Sequence, residues 1–457
     1  MQFTLKRSLK CGLTERDGKL GFRIRNCMQI SPFKRSALEA CIRVGDSSRY
    51  GVDLEADKDA IFDELYQELE DRSLDFPHKE IPISRGRKLH YLQDYKSVLA
   101  LRATARNLNK NYGIRPANRN AIVRGVLEAL FDATPSYVVR CDIASFFECL
   151  NAEPILDELH RSTKLHPHIR VVLERLQDSG LLKAGTAGVP RGLGLSSTFA
   201  EMCLRSFDHE VRLHPKVYRY FRFADDILIF SLGEPQEILQ GVEQLLRPDF
   251  QLRRDKSYPI PLLSLPDTIE NPCTEEPGSF SYLGYKFTCQ HGIKTRKSRR
   301  VLVGISDNKI NDRKTRVILS LKALEKNKDG PLFLNRIRIL TSNYEVRKSR
   351  HTHGQRKAKV RTGIYYNYRL SGEYDHGKNG PHKKLVDPAE LKELDAFLSS
   401  LLWASTSEYS SIVDKFLNAD QKEELRRLSF YKGFTKKITL RLQRSTVAAA
   451  RKAWRYA

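Results

Sequence analysis

The sequence predicts an α+β fold, with strands and helices alternating through the middle of the chain and helices dominating beyond about residue 305. Residues 137–288 run in the order β-α-α-β-β-α-β, which is typical of a sheet with helices packed on one face. Within this stretch, residues 218–231 (YRYFRFADDILIFS) predict a hairpin, because two apolar-aromatic runs flank a polar tip.

Three elements are predicted before residue 137. The spacing of apolar residues predicts a helix at 57–70 and another at 119–133. Apolar runs on both sides of an Arg85-Gly86-Arg87 turn predict a short strand pair within residues 80–102.

The later elements follow from the same rules. In chain order they are a strand from Tyr137, a helix at 153–178, a Gly/Ser-rich loop at 185–197 that opens a helix through Leu204, the 218–231 hairpin, a helix at 235–247 and a strand at 280–288. Residues 371–387 (SGEYDHGKNGPHKKLVD) predict a loop, since they are rich in Gly, His, Lys and Asp. Residues 388–457 predict several amphipathic helices that end on Trp454.

Composition sets the scale of the fold and points to a partner. The chain has 457 residues, 40% of them hydrophobic, which is enough for two or three domains or for one assembly of several lobes. Lys and Arg total 79 against 55 Asp and Glu, and the net charge of +24 favours a polyanionic partner. The longest apolar runs are far below the ~20 residues of a membrane helix, so we expect no membrane contact and a cytoplasmic location. The eight scattered cysteines predict reduced, mostly buried thiols.

Two carboxylate positions stand out by their surroundings. Asp142 follows an apolar run and precedes Ile143, and Asp225 and Asp226 occupy the tip of the predicted hairpin. Carboxylates this close to buried strands are costly unless positive charge pairs with them, and two Mg²⁺ ions of a phosphoryl-transfer site would be one such pairing. Taken alone, the pattern leaves other readings open, because Asp-Asp pairs at turns are usually solvated and an Asp after a strand often caps a helix.

Six segments give these acids a context, because they stand in the order and spacing of reverse transcriptase motifs. They are YGIRPANRNAI (112–122), like a fingers segment; VVRCDIASFFECL (138–150), like motif A; GVPRGLGLSSTFAEMCL (188–204), like motif B; YFRFADDILIF (220–230), like motif C; LRRDKS (252–257), like motif D; and FSYLGYKF (280–287), like motif E, the primer grip. Over about residues 80–290 the chain therefore resembles bacterial reverse transcriptases of the group II intron and retron-like branch.

The resemblance implies a right-hand polymerase fold. It implies a basic N-terminal extension at 1–76, fingers at 77–136, a palm at 137–290, and a helical thumb with a C-terminal extension at 291–457. The implied activity is that of an RNA-directed DNA polymerase, a nucleotidyltransferase that copies an RNA template into a DNA product from dNTPs. Two Mg²⁺ ions, or Mn²⁺ in their place, are the implied cofactors.

The catalytic roles carry over residue by residue. Asp142 and Asp225 would bind both metals, with Asp226 close by and the Ile143 carbonyl as a further ligand. Lys256 resembles the motif D lysine that protonates the departing pyrophosphate, although a lone lysine is normally a surface charge.

The nucleotide pocket is implied by the same motifs. Phe147 stands where the family has its sugar gate, where a bulky ring clashes with a ribose 2′-hydroxyl; core packing is the alternative reading. Cations near Arg87 resemble the fingers element that clamps the triphosphate, and a solvated turn is their alternative. The residues expected to contact the nucleotide are Arg85, Arg87, Lys88, Phe147, Pro190, Arg191 and Gly192.

Nucleic-acid contacts are expected in the primer grip, in residues 336–368 and in the fingers-like segment at 112–122. The residues expected in the primer grip are Tyr282, Leu283, Gly284 and Tyr285. Residues 336–368 mix cations with tyrosines, which suits a template–primer or structured-RNA surface, and a solvated basic face is the alternative. The residues expected to bind nucleic acid are Arg115, Arg119, Tyr344, Arg356, Tyr365 and Tyr366.

Two departures from the family pattern concern nucleotide choice. The family usually has Tyr before Ala-Asp-Asp, where this chain has Phe223. Its motif B usually reads Pro-Gln-Gly, where this chain has Arg191 in place of Gln. Arg191 brings a fixed charge to the nucleotide pocket, so nucleotide selection is where we expect this chain to differ.

The branch of the family is predicted from the C-terminal region. The segment SFYKGFTKKITLRL (429–442), followed by Trp454, resembles defence-associated, abortive-infection-type reverse transcriptases, and no RNase H, integrase or HNH pattern is visible. This implies antiphage defence in a bacterial cytoplasm, a dedicated structured non-coding RNA, and a partner protein or a homo-oligomer. A retron or intron enzyme and an inactive RNA-binding scaffold are the alternatives, and RNA synthesis is disfavoured by Phe147.

Overall fold

The computed structural model describes residues 31–43, 45–82, 88–115, 117–132, 134, 136–182, 188–262, 278–290, 299–346, 360–377, 380–384 and 388–454. The strands are β1 (His78–Pro82), β2 (Lys88–Leu92), β3 (Tyr137–Asp142), β4 (Val217–Phe223), β5 (Asp226–Ser231), β6 (Tyr258–Pro261), β7 (Ser279–Tyr282), β8 (Tyr285–Gln290), β9 (Arg300–Ile305), β10 (Asn343–Val346), β11 (Val360–Gly363), β12 (Gly372–Gly377), β13 (Gly380–Lys384) and β14 (Thr439–Arg441).

Helices fill most of the remaining described chain. They are α1 (Arg35–Glu39), α2 (Asp46–Tyr50), α3 (Lys58–Glu70), α4 (Tyr95–Asn111), α5 (Arg119–Phe131), α6 (Phe146–Cys149), α7 (Glu153–Arg161), α8 (Pro167–Asp178), α9 (Ser196–Cys203), α10 (Arg205–Leu213), α11 (Pro235–Leu246), α12 (Asp307–Asn327), α13 (Gly330–Thr341), α14 (Ile364–Tyr368), α15 (Ala389–Trp403), α16 (Glu408–Phe416), α17 (Ala419–Arg427), α18 (Phe430–Thr435) and α19 (Arg444–Lys452). The mixture of helices and sheets is the α+β composition that the sequence predicts.

A four-stranded antiparallel sheet in the order β4-β5-β3-β6 is the centre of the fold. The predicted hairpin at 218–231 is confirmed as β4 and β5. Successive residues of β5 enter different hydrophobic cores: Ile227 and Ile229 pack into one, and Leu228 and Phe230 into the other. The sheet is therefore buried on both faces, which explains the uninterrupted apolar run in β5 and corrects the expectation of helices on one face only.

The two cores use different parts of the chain. One contains side chains from Phe33 to Phe250 and includes helices α3, α4, α8 and α11. The other extends from Val123 to Trp454 and includes α5, strands β7 to β9 and the C-terminal helices. The central sheet separates them, so its strand ends are fixed from both sides.

A second sheet has the order β13-β12-β9-β8-β7. The single strand predicted at 280–288 is wrong, because the chain turns at Leu283 and Gly284, both with positive φ, and returns as β8. The loop predicted at 371–387 is also wrong for β12 and β13, which form a hairpin on β9. Their composition is polar, but Tyr374 is buried, and ladder hydrogen bonds do not depend on apolar side chains.

The helix predictions are confirmed as α3, α5 and α11, with three differences elsewhere. The helix predicted at 153–178 is divided into α7 and α8, because the chain leaves the helix after Arg161 and Pro167 begins a new one. The strand pair predicted within 80–102 is confirmed as β1 and β2. The last residues of the predicted range 80–102 belong instead to helix α4, whose N-cap Asp94 accepts a hydrogen bond from the Ser97 amide. Helix α10 follows α9 almost directly and was not predicted.

The C-terminal region contains helices α15 to α19, as predicted, and also a small sheet in the order β11-β10-β14. In this sheet β14 runs parallel to β10. The Trp454 indole is buried and donates a hydrogen bond to the Ser320 hydroxyl at 2.9 Å, which fixes the end of the chain on α12. Helix α18 packs closely on α13, and Asn343 donates a hydrogen bond to the Gly433 carbonyl at 3.1 Å.

The described cysteines include three buried thiols. Among the described residues, Cys41, Cys141 and Cys289 are buried and unpaired with other cysteines, and burial raises the pKa of the Cys141 thiol to about 12. No helix in the described part of the chain combines the length and the hydropathy needed to cross a membrane.

Gly433→Ala is expected to destabilise the fold. An added Cβ would lie 1.8 Å from the Thr341 carbonyl oxygen, so the backbone of α13 or α18 must move. The free energy of unfolding in urea should fall by about 1–3 kcal/mol, the usual cost of overpacking. Gly241→Ala in α11 is the matched control, because no atom lies within 4 Å of its added Cβ and alanine favours a helix. Equal stabilities of the two variants would contradict this close packing.

Candidate active site

The three predicted carboxylates lie at one end of the central sheet. Strand β3 ends with Asp142 and β5 begins with Asp226, and the antiparallel register places these two residues directly opposite each other. Asp225 precedes Asp226 in the tight turn of the hairpin, and its carbonyl accepts a hydrogen bond from the Ile143 amide at 3.1 Å. The structure thus brings together the acids that the sequence separates by more than 80 positions.

A buried arginine supports the turn that carries Asp225. The Arg222 side chain, only 4% exposed, donates to the Asp208 carboxylate and to the Glu201 carboxylate, each at 2.7 Å. Its Nη1 also donates to the carbonyl of Ala224 at 3.1 Å. Ala224 has a φ of 56°, a strained value for a residue with a side chain, so these contacts hold the turn against relaxation.

Three cations lie beside the carboxylates. Arg253 Nε is 3.4 Å and Lys256 Nζ 3.8 Å from the carboxylate oxygens of Asp142. Arg140 Nε is 3.4 Å from Asp226 Oδ1. The predicted position of Lys256 at the site is therefore seen directly, whereas its role as a proton donor stays a prediction.

The Asp226 carboxyl is strongly affected by its surroundings. Burial raises the pKa of its carboxyl to about 6; Arg140 opposes this shift, and the neighbouring Asp142 and Asp225 carboxylates add to it. Its Oδ1 is buried and forms no hydrogen bond of good geometry. The hydroxyl of the buried Tyr282 donates to the Asp226 main-chain carbonyl at 3.1 Å, which fixes the start of β5.

The residue types at this edge fit a divalent cation. Carboxylates supply the hard oxygen donors that Mg²⁺ and Mn²⁺ prefer, and the buried Asp226 Oδ1 has an unused acceptor position. Within the described residues, no three Asp, Glu, His or Cys side chains converge on one point as metal ligands. The positive charge beside Asp142 and Asp226 comes from Arg253, Lys256 and Arg140.

Phe147 lies on α6, five residues after Asp142. Its ring is half-buried, and the Arg191 guanidinium lies over it at 4.7 Å from the ring centroid. Arg191 also forms a two-point ion pair with Glu148, with Nε–Oε1 at 2.7 Å and Nη2–Oε2 at 2.9 Å. The predicted gate residue and the unusual arginine are therefore in direct contact.

The loop at 188–192 is fixed from two sides. The Pro190 carbonyl accepts a hydrogen bond from the Ser196 hydroxyl at 2.6 Å. The Arg191 carbonyl accepts one from the His90 amide of β2 at 2.8 Å. Gly192 has a φ of 100°, and an added Cβ would lie 2.6 Å from the His90 carbonyl oxygen, so only glycine fits. Strand β2 thus contacts the predicted nucleotide pocket.

Of the predicted triphosphate contacts before residue 100, Lys88 lies within the described residues. Lys88 begins β2, and its Nζ forms an ion pair with Glu80 on β1 at 2.6 Å. Arg85, Arg87 and the predicted nucleic-acid contact Arg356 lie outside the described residues.

The predicted primer-grip segment forms the β7–β8 hairpin. Its two tyrosines, Tyr282 and Tyr285, are buried and serve the core, with Tyr282 also anchoring β5. The residues on the turn between them are Leu283, which is partly buried, and Gly284, with a φ of 78°. The turn itself is partly exposed, but its carbonyls are used within the protein, that of Leu283 by Arg119 and that of Gly284 by the Ser306 amide at 3.1 Å.

Two of the predicted nucleic-acid contacts are used within the protein. Arg119 donates to the Leu283 carbonyl at 2.8 Å and lies over the Tyr285 ring, which joins α5 to the primer-grip hairpin. The prediction of an accessible Tyr344 is wrong, because its ring is buried and its hydroxyl accepts a hydrogen bond from Arg451 at 2.6 Å. The pattern of tyrosines among cations does not distinguish a stacking surface from a core edge.

The remaining predicted contacts are accessible. Tyr365 and Tyr366 are half-exposed and pack edge to face, with ring centroids 5.4 Å apart. Lys437 lies over the Tyr365 ring and Arg361 over the Tyr366 ring. Arg115 is exposed at the end of the segment between α4 and α5.

Three arginines of the site were not predicted. Arg222 and Arg140 occupy strand positions and Arg253 precedes Lys256, where each resembles an ordinary basic residue. An arginine within an otherwise apolar-aromatic strand is a usable signal for Arg222, because a buried cation requires carboxylate partners. Those partners come from α9 and α10, so their identity was not readable from the strand itself.

Comparison with known proteins matches part of the chain to a family model. Residues 97–287 match the family model described as Reverse transcriptase (RNA-dependent DNA polymerase). This match indicates a reverse transcriptase domain in these residues, which are less than half of the chain. Such a domain is that of an RNA-directed DNA polymerase, a nucleotidyltransferase, and it implies a right-hand polymerase fold.

One solved structure to which the chain is similar is apo telomerase from Candida tropicalis, truncated from its C-terminal domain. The sequence identity is 13% and the TM-score 0.32, and the similarity covers 47% of this chain and 53% of that chain. The chain thus spans about half the length of that structure. None of the curated protein sequences matches this chain.

The match of residues 97–287 agrees with the reverse transcriptase motifs found in the sequence. Its bounds include the end of β3, the β4–β5 hairpin and the loop at 188–192, so every described contact among the three acids lies within it. The predicted division of the whole chain into four parts, and its assignment to the bacterial defence branch, stay predictions.

Asp226→Asn is expected to change how stability depends on pH. Because burial raises the pKa of Asp226 to about 6, the folded state binds this proton more tightly than the unfolded chain does. The resulting stabilisation is complete below about pH 4 and is lost as the pH rises through about 6. In metal-free buffer at pH 8, the variant should have a free energy of unfolding about 1–3 kcal/mol above that of the parent chain, and the two should converge near pH 4.

The control for this measurement is Asp157→Asn on α7. Its carboxylate is 61% exposed and 3.9 Å from Arg161, so its loss should change stability by less than about 0.5 kcal/mol at any pH. If the free energy of unfolding of Asp226→Asn changed with pH between about 4 and 6 as it does in the parent chain, a group other than Asp226 would be responsible for that change.

Proposed function

We propose that the whole chain is an active RNA-directed DNA polymerase that uses two divalent metal ions. The observation that carries this proposal is the register of β3 and β5, which sets Asp142 opposite Asp226 with Asp225 in the adjoining turn. Phe147, five residues after Asp142, contacts Arg191 of the loop at 188–192. The three carboxylates, the Phe147 ring and the loop at 188–192 are the parts that nucleotide addition requires.

In this proposal Asp142, Asp225 and the Ile143 carbonyl hold the metal ions. When bound, the ions supply charge stabilisation to the transferred phosphoryl group and orient it. Asp226 is close to these groups, and its carboxylate is paired with Arg140, whose Nε lies 3.4 Å from Oδ1. Lys256 and Arg253 compensate Asp142, and Lys256, which is 41% exposed, has access to solvent and to a departing pyrophosphate.

The template–primer is proposed to run past the β7–β8 turn and the exposed tyrosines. The net charge of +24 favours a polyanion. Tyr365 and Tyr366, each with a cation over its ring, offer the aromatic and cationic contacts that unpaired bases and backbone use. Arg115 lies at an exposed position of the fingers segment.

We further propose a role in antiphage defence, with a dedicated structured non-coding RNA as template. The support is the resemblance of residues 429–442 and of the motif set to defence-associated reverse transcriptases. Phage should form fewer plaques on bacteria that express the parent chain than on bacteria that express the Asp225→Asn variant. Equal plaque numbers would contradict the defence role without affecting the proposed polymerase activity.

Asp225→Asn should abolish DNA synthesis. Purified protein with its co-purified RNA is supplied with Mg²⁺ and dNTPs, and labelled product is measured. The rate should fall by about a thousandfold, since several kcal/mol of charge stabilisation are lost with a metal ligand. Asp157→Asn should retain the parent rate. Synthesis that survives Asp225→Asn would contradict the metal assignment.

Phe147→Val should admit ribonucleotides. A smaller side chain leaves room for the 2′-hydroxyl, so the ratio of kcat/KM for a dNTP to that for the matching rNTP should fall by at least about tenfold. Phe146→Leu is the control, because the Phe146 ring is fully buried in the core behind Phe147. An unchanged ratio in Phe147→Val would assign the Phe147 ring to packing alone.

A further inference from the structure

The Phe147 ring is covered by a charged pair that the family pattern does not predict. The guanidinium of Arg191 is held at two points by the Glu148 carboxylate and lies over the ring. The hydrogen bonds from Arg191 to Glu148 are the main reason that the pKa of this guanidinium is raised, and Asp225 contributes at longer range. The Arg191 side chain is 21% exposed, so the pair is partly removed from water.

Main-chain contacts keep the two sides of the pair in register. The Val189 amide donates to the Phe147 carbonyl at 2.7 Å, and the Gly188 amide donates to the Leu150 carbonyl at 3.0 Å. The Arg191 carbonyl is held by the His90 amide at 2.8 Å. These hydrogen bonds join helix α6, the loop at 188–192 and strand β2. The main chain at Arg191, from which its side chain extends, is therefore held in place.

We propose that Arg191, paired with Glu148, is a positioning residue that fixes the ring of Phe147 and thereby sets the discrimination between deoxyribose and ribose. This rests on the proposed polymerase activity and deepens it. A gate excludes a 2′-hydroxyl only while its ring stays in one rotamer, because a change of χ1 moves the ring by several ångströms. The guanidinium, 4.7 Å from the ring centroid, limits such movement by occupying the space over the ring.

The chemistry of this pair requires arginine. A guanidinium can stack on a ring and donate two parallel hydrogen bonds to one carboxylate at the same time. A lysine keeps the charge but can do only one of these, and a glutamine loses the ion pair. With Nε and Nη2 both engaged by Glu148, the contact of Arg191 with a triphosphate or a template base is the competing role, and the two roles predict different kinetics.

The test compares Arg191→Gln, Arg191→Lys, Glu148→Gln and the exchanged pair Arg191→Glu/Glu148→Arg. Single-nucleotide addition is measured with a dNTP and the matching rNTP in Mg²⁺, giving kcat and KM for each. Arg191→Gln and Glu148→Gln should each lower the dNTP-to-rNTP ratio of kcat/KM about fivefold, as expected for the loss of a charged hydrogen-bonded pair. Arg191→Lys should lower it as well, and the exchanged pair should recover part of it. Arg247→Gln, which removes an exposed ion pair with Glu243 on α11, should not change it.

A second measurement does not depend on catalysis. A 4-fluorophenylalanine at position 147 reports the surroundings and motion of the ring by ¹⁹F NMR. Arg191→Gln and Glu148→Gln should shift or broaden this resonance alike, since either change releases the guanidinium from the ring. Arg247→Gln should leave the resonance unchanged.

The outcomes separate the proposals. Equal losses of kcat/KM for dNTP and rNTP in Arg191→Gln, with Glu148→Gln unaffected, would overturn the proposal and assign Arg191 to the triphosphate. An unchanged resonance in both variants would also overturn it. A parent chain that adds neither nucleotide would contradict the proposed polymerase activity and, with it, the selectivity, whereas the fluorine signal would still report whether the pair holds the ring.

Discussion

The rest of the structure depends on the antiparallel pairing of β3 with β5. Side chains alternate between the two faces of a strand, so a slip of one residue would move every apolar side chain of β5 into the opposite core. Because both faces of this sheet are packed, such a slip is costly in either direction. The same register sets Asp142 opposite Asp226, and the geometry of the acids is thereby fixed by the packing of Ile227 to Phe230.

Charge balance is the second constraint on the site. Carboxylates gathered at the end of a buried sheet repel one another, and burial adds to the cost. Arg140, Arg253 and Lys256 reduce this cost from the sides, while Arg222 supports the turn from below through its own carboxylate partners. The site is therefore assembled by cations that come from strands, from a short segment before β6 and from the interface with α9 and α10.

Much of the fold and site was predictable from sequence, where the signal is local or the motif order is distinctive. The β4–β5 hairpin follows from two apolar runs around a polar tip, and the family follows from six ordered segments. The β12–β13 hairpin was not predictable, because β12 is held by main-chain pairing with β9, more than 60 residues away. Tyr344 was misread for a similar reason: its burial depends on Arg451 and the C-terminal helices, which no local pattern reveals.

The second sheet bears on how separable the parts of this protein are. The match to the family ends at residue 287, inside β8, but the sheet continues through β9 and into β12 and β13 from the C-terminal third of the chain. The boundary of the homologous segment is therefore not a physical boundary. A C-terminal region that shares a sheet with the primer-grip hairpin must evolve together with the polymerase rather than be exchanged as an independent module.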